Sequence, residues 1–343
     1  MAPKTQKALE VHALKQPLVL VNDRTVLEPG SGQVRIQVTV AGINPHDNKS
    51  RDIGLFIGDK LPAVLTNDVV GRVEKLGPDV SKFNVGDRVV SQADWTEGSP
   101  SNGLQEYAVL EAQFVSKIPD KISDDGAATL PTNALPALVA FYGPKGFQLP
   151  APWTNPDLKN ESIFIIGGGS NCGRFAVQLA ALGGLGTIVV LGGDETELKS
   201  YGATEVLDRT GSPEEVAARI YKVFPNGVKY VFDAINPPAT QYVGINALTE
   251  SGGKYARLLP LGPPSPEHIK RTDYELVNVF GSSHAVPDVS REFWARLPEY
   301  LESGKTRPTE YTTIEGLDVD AVNKVLDDYR AGNKVTKTHV HIS

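Results

Sequence analysis

The 343-residue chain has one cysteine, Cys172. That excludes an internal disulfide and any zinc site built from four thiolates of the chain. No stretch approaches about 18 uninterrupted apolar residues, so a membrane-spanning helix is not expected. The opening MAPKTQKALEV lacks the apolar core of a signal peptide. Positive charge is also in short supply: 34 Lys and Arg against 41 Asp and Glu leave a formal net charge of −7. Such a balance disfavours broad binding to nucleic acid or to an anionic membrane. The expectation is a soluble, cytoplasmic protein with no nucleic acid and no membrane involved.

What is present falls into three zones. At roughly 100–200 residues per domain, the length suits two domains with cores of their own. The first third reads as β structure. Val34, Ile36, Val38 and Val40 alternate with Arg35, Gln37 and Thr39, the pattern of a half-buried strand. Runs at 69–73, 85–90 and 107–110 are separated by Gly/Pro-rich turns, which suggests a barrel or sandwich. A helix is expected over 134–147 with Pro136 in its first turn, followed by a proline-rich loop. From residue 163 strand-like runs (163–166, 187–191, 228–233, 255–259) alternate with helical ones, so a parallel sheet covered by helices is expected. Ser212, Pro213 and Glu215 spell a capping box. After about residue 285 come helices at 290–303 and 319–331, the second closed by Gly332, and a last alternating strand at 336–342 whose host is expected in the amino-terminal β region.

The stretch IFIIGGGSNCG (163–173) has the order strand, tight turn, helix. A dinucleotide turn wants G-x-G-x-x-G, with the helix N-terminus facing the pyrophosphate. Neither register is complete. Gly167 and Gly169 leave Cys172 in the third place, and Gly168 and Gly173 leave Ser170 in the middle. A nucleophile turn, G-x-S-x-G, would need glycine where Cys172 stands. A Walker loop fails at Gly173-Arg174-Phe175. A nucleotide turn and a bare α/β turn therefore both stay open on the motif alone. If the turn holds a dinucleotide, the second strand ends in Gly192 where NAD specificity wants an acid. That leaves room for a 2′-phosphate, although Asp194 follows closely.

The ordered set AGINPHD (41–47), LTNDVVGRVEKLGPDVSKFNVGDRV (65–89), NGLQEYAVL (102–110), IFIIGGGSNCG and YGATEVLD (201–208) resembles the medium-chain dehydrogenase/reductase superfamily. It is most similar to the zinc-independent quinone and enoyl reductase branch, which includes fungal zinc-binding-like oxidoreductases. The resemblance runs over nearly the whole chain. It implies an α/β fold, with a Rossmann doubly wound parallel sheet (134–284) inserted in a GroES-like β-rich domain (1–133 and 285–343). It also implies an NADP(H)-dependent oxidoreductase acting on a small-molecule substrate, as a monomer or homodimer.

Several residue roles follow from the resemblance. Zinc-dependent relatives place ligands at positions that here read Asn44, Asn67 and about Thr132, beside Asp68. None of the first three is a normal zinc ligand, so no metal is expected. Without a Lewis acid the substrate must carry its own electron sink, as quinones and enones do. His46 and Lys49 fall at proton-relay positions and are the candidate catalytic residues, while Asp47 is expected to be structural. Asn44 falls near the nicotinamide ribose. Gly168, Gly169, Ser170, Asn171 and Cys172 are expected around the pyrophosphate, with the serine as a phosphate contact and not a nucleophile. Gly192, Gly193 and Arg209 are expected near the 2′-phosphate. Leu261, Ser282 and Lys337 complete the candidate cofactor contacts. Pro136 replaces a threonine that often faces the cofactor. Read from residue type alone, Phe56, Trp95, Tyr142 and Trp294 are candidates for the substrate cleft, with core or surface packing the favoured reading for each taken singly. A carbonyl/alcohol oxidoreductase and a non-catalytic nucleotide-binding homologue are the rivals.

Overall fold

The computed structural model describes residues 2–258 and 262–342. The chain divides into two compact units. Met1–Thr132, Ser282–His284 and Ser290–Ser343 form the first; Asn133–Gly281 and Ala285–Val289 form the second. Among the described residues no helix is long and apolar enough to cross a membrane.

The first unit is β-rich. Its larger sheet is organised by the long strand Gln33–Ile43, which pairs with Asp68–Leu76, Tyr107–Glu111 and the last strand, Thr338–His341. The alternation predicted around residue 36 is present: Val34, Ile36 and Val38 are fully buried in the unit's core. Arg35, expected to face solvent, is buried instead. It can be, because its guanidinium pairs with Glu74 and Glu28. The carboxy-terminal strand does join this sheet. It runs antiparallel to the long strand, with Thr338 opposite Ile43 and His339 opposite Gly42. The helix Val319–Arg330 begins at an Asp318 cap and is followed by Gly332 in the left-handed region (φ 74°), as predicted.

The second unit is a parallel six-stranded sheet. Its spatial order is Glu205–Leu207, Thr187–Leu191, Ser162–Ile166, Tyr230–Asp233, Gly253–Arg257, Tyr274–Asn278. Numbered along the chain this is 3-2-1-4-5-6, the doubly wound order, with its switch point beside the first strand. The capping box at Ser212 forms, with Glu215 returning to the Ser212 N–H at 2.8 Å.

Two helices differ from expectation. The one around Pro136 spans Pro131–Tyr142, so Pro136 lies in its interior and not its first turn. Pro131 takes the first position, where a missing N–H costs nothing. Burial of Ala134, Leu135, Ala137 and Leu138 holds the helix through the interior proline. The helix expected from residue 290 begins three residues earlier and spans Pro287–Glu302, again with proline leading. Trp294 on this helix and Tyr142 are buried packing residues rather than cleft walls: the indole N–H of Trp294 donates to Ser283 Oγ (3.0 Å) and the Tyr142 hydroxyl to the Leu179 carbonyl (2.8 Å).

The last strand also brings a titratable cluster together. Asp125 lies 3.0 Å from both His339 Nδ1 and His341 Nε2, and His341 Nδ1 lies 2.9 Å from Glu315. Burial opposes charge on His341, but Asp125 and Glu315 outweigh it and raise its pKa. Its stabilising contribution is therefore complete below its unfolded value of about 6.5 and is lost as pH rises through the folded value. His341→Gln should lower stability by about 0.5–1 kcal/mol near pH 6 and by clearly less near pH 8.5. Urea midpoints at the two pH values measure this; equal losses would rule the pairing out.

Candidate functional site

In the second unit the first strand runs into Gly167, whose φ is 89°. A side chain there would come within 2.7 Å of Ile235. Gly168 is equally confined, by Val190 and the Gly192 carbonyl. Ser170 then caps the helix Asn171–Leu182: its Oγ accepts from Gly173 N (3.0 Å) and donates to the Gly167 carbonyl (2.8 Å). A Cβ on Gly173 would lie 2.2 Å from the Gly167 carbonyl oxygen. Gly167 and Gly173 thus supply the tight turn and the close helix–strand approach, in a spacing that neither strict motif shows. Gly169 is the exception. It is exposed, and the nearest atom to a Cβ added there would be the Gly193 Cα, 3.5 Å away. The turn sits at the switch point of the sheet, and the helix it opens presents first-turn N–H groups, the arrangement that holds phosphate.

The neighbouring strand ends in Gly192 and Gly193, both at positive φ (76° and 106°). The Asp194 carboxylate caps the next helix, accepting from Glu197 N at 2.7 Å. Arg209 is brought to this strand end. Its Cδ lies 2.9 Å from where a Gly192 Cβ would be, and its exposed guanidinium has no partner among the described residues. Asp233, which no motif in the sequence signals, ends the fourth strand. Buried and with a pKa raised by that burial, it accepts from Ile235 N, Asn236 N and Tyr255 Oη, and so fixes the loop beside the switch point. Leu261 lies outside the described residues.

In the first unit the short helix Pro45–Ile53 carries His46 and Lys49, three residues apart and on one face. Asp47 is structural, as expected: its buried carboxylate accepts from Asn44 N (2.7 Å) and Thr66 N (3.0 Å). Asn67 donates its amide to the Ala93 and Asp94 carbonyls, which turns its Oδ1 toward His46 Nε2 at 3.0 Å. An acceptor there requires a proton on Nε2, so Nδ1 is the ring nitrogen of His46 with no partner among the described residues. Phe56 and Trp95 stand edge-on around the imidazole, with centroids 6.0 and 4.9 Å away. Lys49 is half-buried, with no side-chain partner among the described residues.

Next to this helix lies a buried polar knot. Asn44 Nδ2 donates to Asp68 Oδ2 (2.7 Å), and the Lys337 ammonium reaches Asp68 Oδ2, Asn44 Oδ1 (2.9 Å) and the Ile43 carbonyl (3.2 Å). Thr132 turns its backbone N–H, and not an oxygen, to Asp68 Oδ1 at 2.6 Å. Burial would raise the Asp68 pKa, but the Lys337 charge and these hydrogen bonds hold it below the usual carboxylate range. Gly42 makes the knot possible, since a Cβ there would fall 2.9 Å from both Lys337 Nζ and Asp68 Cβ. A glycine inside an otherwise apolar strand is the sequence signal for such an approach. Ser282, buried in the first unit, bonds the next turn, its Oγ accepting from His284 N at 3.2 Å.

Residues 30–120 match the family model of the alcohol dehydrogenase GroES-like domain, and residues 172–284 that of the zinc-binding dehydrogenases. Dehydrogenase orsE of Emericella nidulans is 30% identical over 344 residues, covering 94% of this chain and 95% of that protein. Trans-enoyl reductase himH of Aspergillus japonicus is 29% identical over 317 residues, covering 91% and 90%. Among solved structures, mycobacterial Rv1454c complexed with NADPH has the same fold, with a TM-score of 0.70 at 22% identity over 98% of this chain and 99% of that one.

The turn geometry makes a direct prediction. Gly173→Ala should destabilise the second unit by about 1–3 kcal/mol through forced overpacking, whereas Gly169→Ala should leave the unfolding midpoint nearly unchanged. Urea denaturation of the two variants checks the contrast.

Proposed function

Because the chain belongs to the medium-chain dehydrogenase/reductase superfamily, we propose that it is an NADPH-dependent, zinc-independent reductase of activated C=C bonds or quinones. The observation that carries this is the residue set at the zinc positions. Asn44 and Asn67 spend their amides on protein partners, and Thr132 offers Asp68 a backbone N–H. Neutral amides and a threonine are not zinc ligands, so no Lewis acid polarises the substrate. The acceptor must then stabilise the negative charge itself. A bound nicotinamide would supply hydride to the β-carbon of an enone or enoyl group, or to a quinone. The electron pair moves onto oxygen, and one proton completes the product. The protein's task is to hold the reactants in a near-attack geometry and supply that proton. A small molecule fits this chemistry as partner; the name of the trans-enoyl reductase relative supports the substrate class.

Nucleotide choice rests on Gly192 and Arg209. The missing acid and an Arg209 whose stem packs at the second strand's end, with no side-chain partner among the described residues, suit a 2′-phosphate, which a forked donor holds well. The NADPH complex of the mycobacterial fold relative supports the same cofactor. Gly168, Gly169, Asn171 and Cys172 are assigned to the pyrophosphate, with Ser170 shaping the turn as its cap. His46, through Nδ1, and Lys49 are the proton donors to test. Phe56 and Trp95 favour a flat conjugated substrate beside them.

NADPH offered with a panel of enones, enoyl thioesters and quinones should be oxidised with at least one member. Turnover of aldehydes alone would favour the carbonyl reductase instead. Losing a charged hydrogen bond worth about 1.5–3 kcal/mol, Arg209→Ala should reduce kcat/KM for NADPH roughly 10- to 100-fold and change that for NADH little. Equal effects on both nucleotides would remove Arg209 from the cofactor site.

A further inference from the structure

The positions where the resemblance expects zinc ligands, Asn44, Asn67 and Thr132, lie in the first unit, yet the atoms around Asn44 converge on something else. Three acceptors, the Asp68 carboxylate, Asn44 Oδ1 and the Ile43 carbonyl, surround the Lys337 ammonium. An ammonium has three N–H donors, so this set saturates it. Asp68 is fully buried, and Asn44 and Lys337 are each 2% exposed. The charges are therefore matched where water cannot screen them. Gly42 supplies the space for Nζ, and the register of the last strand delivers it.

We propose that Lys337 is a tethered cation that takes the place of the metal in this chain. Its ammonium lies among Asn44, Asp68 and the Ile43 carbonyl, fixes the orientation of the Asn44 amide and leaves no site for zinc. A divalent ion brought there would meet a positive charge and two ligand positions filled by amides. The lysine neutralises Asp68 with one unit of charge, and being saturated it has no open coordination position with which to polarise a carbonyl. Lys337 is thus a positioning residue. This deepens the zinc-independent reading above, but its tests do not depend on turnover, so the two can fail separately.

Purified full-length protein should hold far less than one zinc per chain after dialysis against zinc, and zinc should not raise its melting temperature. Lys337→Met should strand the Asp68 carboxylate and lower the urea midpoint by on the order of 1 M. Asp68→Asn should strand the ammonium and do likewise. The double variant Asp68→Asn/Lys337→Met removes both charges and should recover a large part of the loss. If Lys337→Met does not fold, the comparison of the double variant with Asp68→Asn still decides: the double variant should be the more stable. The proposal is overturned by stoichiometric zinc in the wild type, by a double variant no more stable than Asp68→Asn, or by losses in the two single variants that simply add.

Discussion

The pairing of the last strand with the strand Gln33–Ile43 sets most of what matters in the first unit. Thr338 lies opposite Ile43, so the residue before it, Lys337, comes level with Asn44. One residue of slip would turn Lys337 to the other face of the strand and break the contact with Asp68. Once in place, the buried ion pair constrains its surroundings. Asn44 has both amide atoms committed, Asp68 also receives Thr132 N, and Gly42 must stay without a side chain. The helix carrying His46 and Lys49 starts at this knot, with Asp47 clipping it to Asn44 N and Thr66 N. The register therefore also positions the candidate acid groups.

In the second unit the controlling constraint is steric. The glycine turn needs its backbone close to the strand and to the helix that follows, and side chains at Gly167, Gly168 and Gly173 would block both. A pattern search asks for glycine at fixed spacings and finds this turn wanting. The physical requirements are a left-handed residue after the strand, a cap, and a glycine where the helix crosses the strand end. Gly167, Ser170 and Gly173 meet them. Similarly, Asp194 blurs the nucleotide preference in the sequence because its side-chain role is invisible there. In the fold its carboxylate caps the next helix through Glu197 N, and the Arg209 stem packs at Gly192.

Much of the architecture is legible along the chain, because it is local. The capping box at Ser212, the Gly332 terminus and the alternation from Val34 to Val40 each depend on neighbours within one or two turns or pleats. Expectation and fold part where distant packing intervenes. Pro136 sits inside a helix that burial sustains, and Arg35 is buried because Glu28 and Glu74 reach it.

By itself, then, the sequence determined the α/β fold class and the family, and it put the neutral side chains Asn44, Asn67 and Thr132 where the resemblance expects zinc ligands. These follow from residue type and local order. Tertiary structure alone decided what stands there instead. Lys337 and Asp68 are 269 residues apart, and only sheet register makes them neighbours. It also decided which nitrogen of His46 is left open, since that depends on the Asn67 amide held by the Ala93 and Asp94 carbonyls. Hydrogen-bond direction and buried charge pairing are properties of a three-dimensional surrounding, and no periodicity along the chain encodes them.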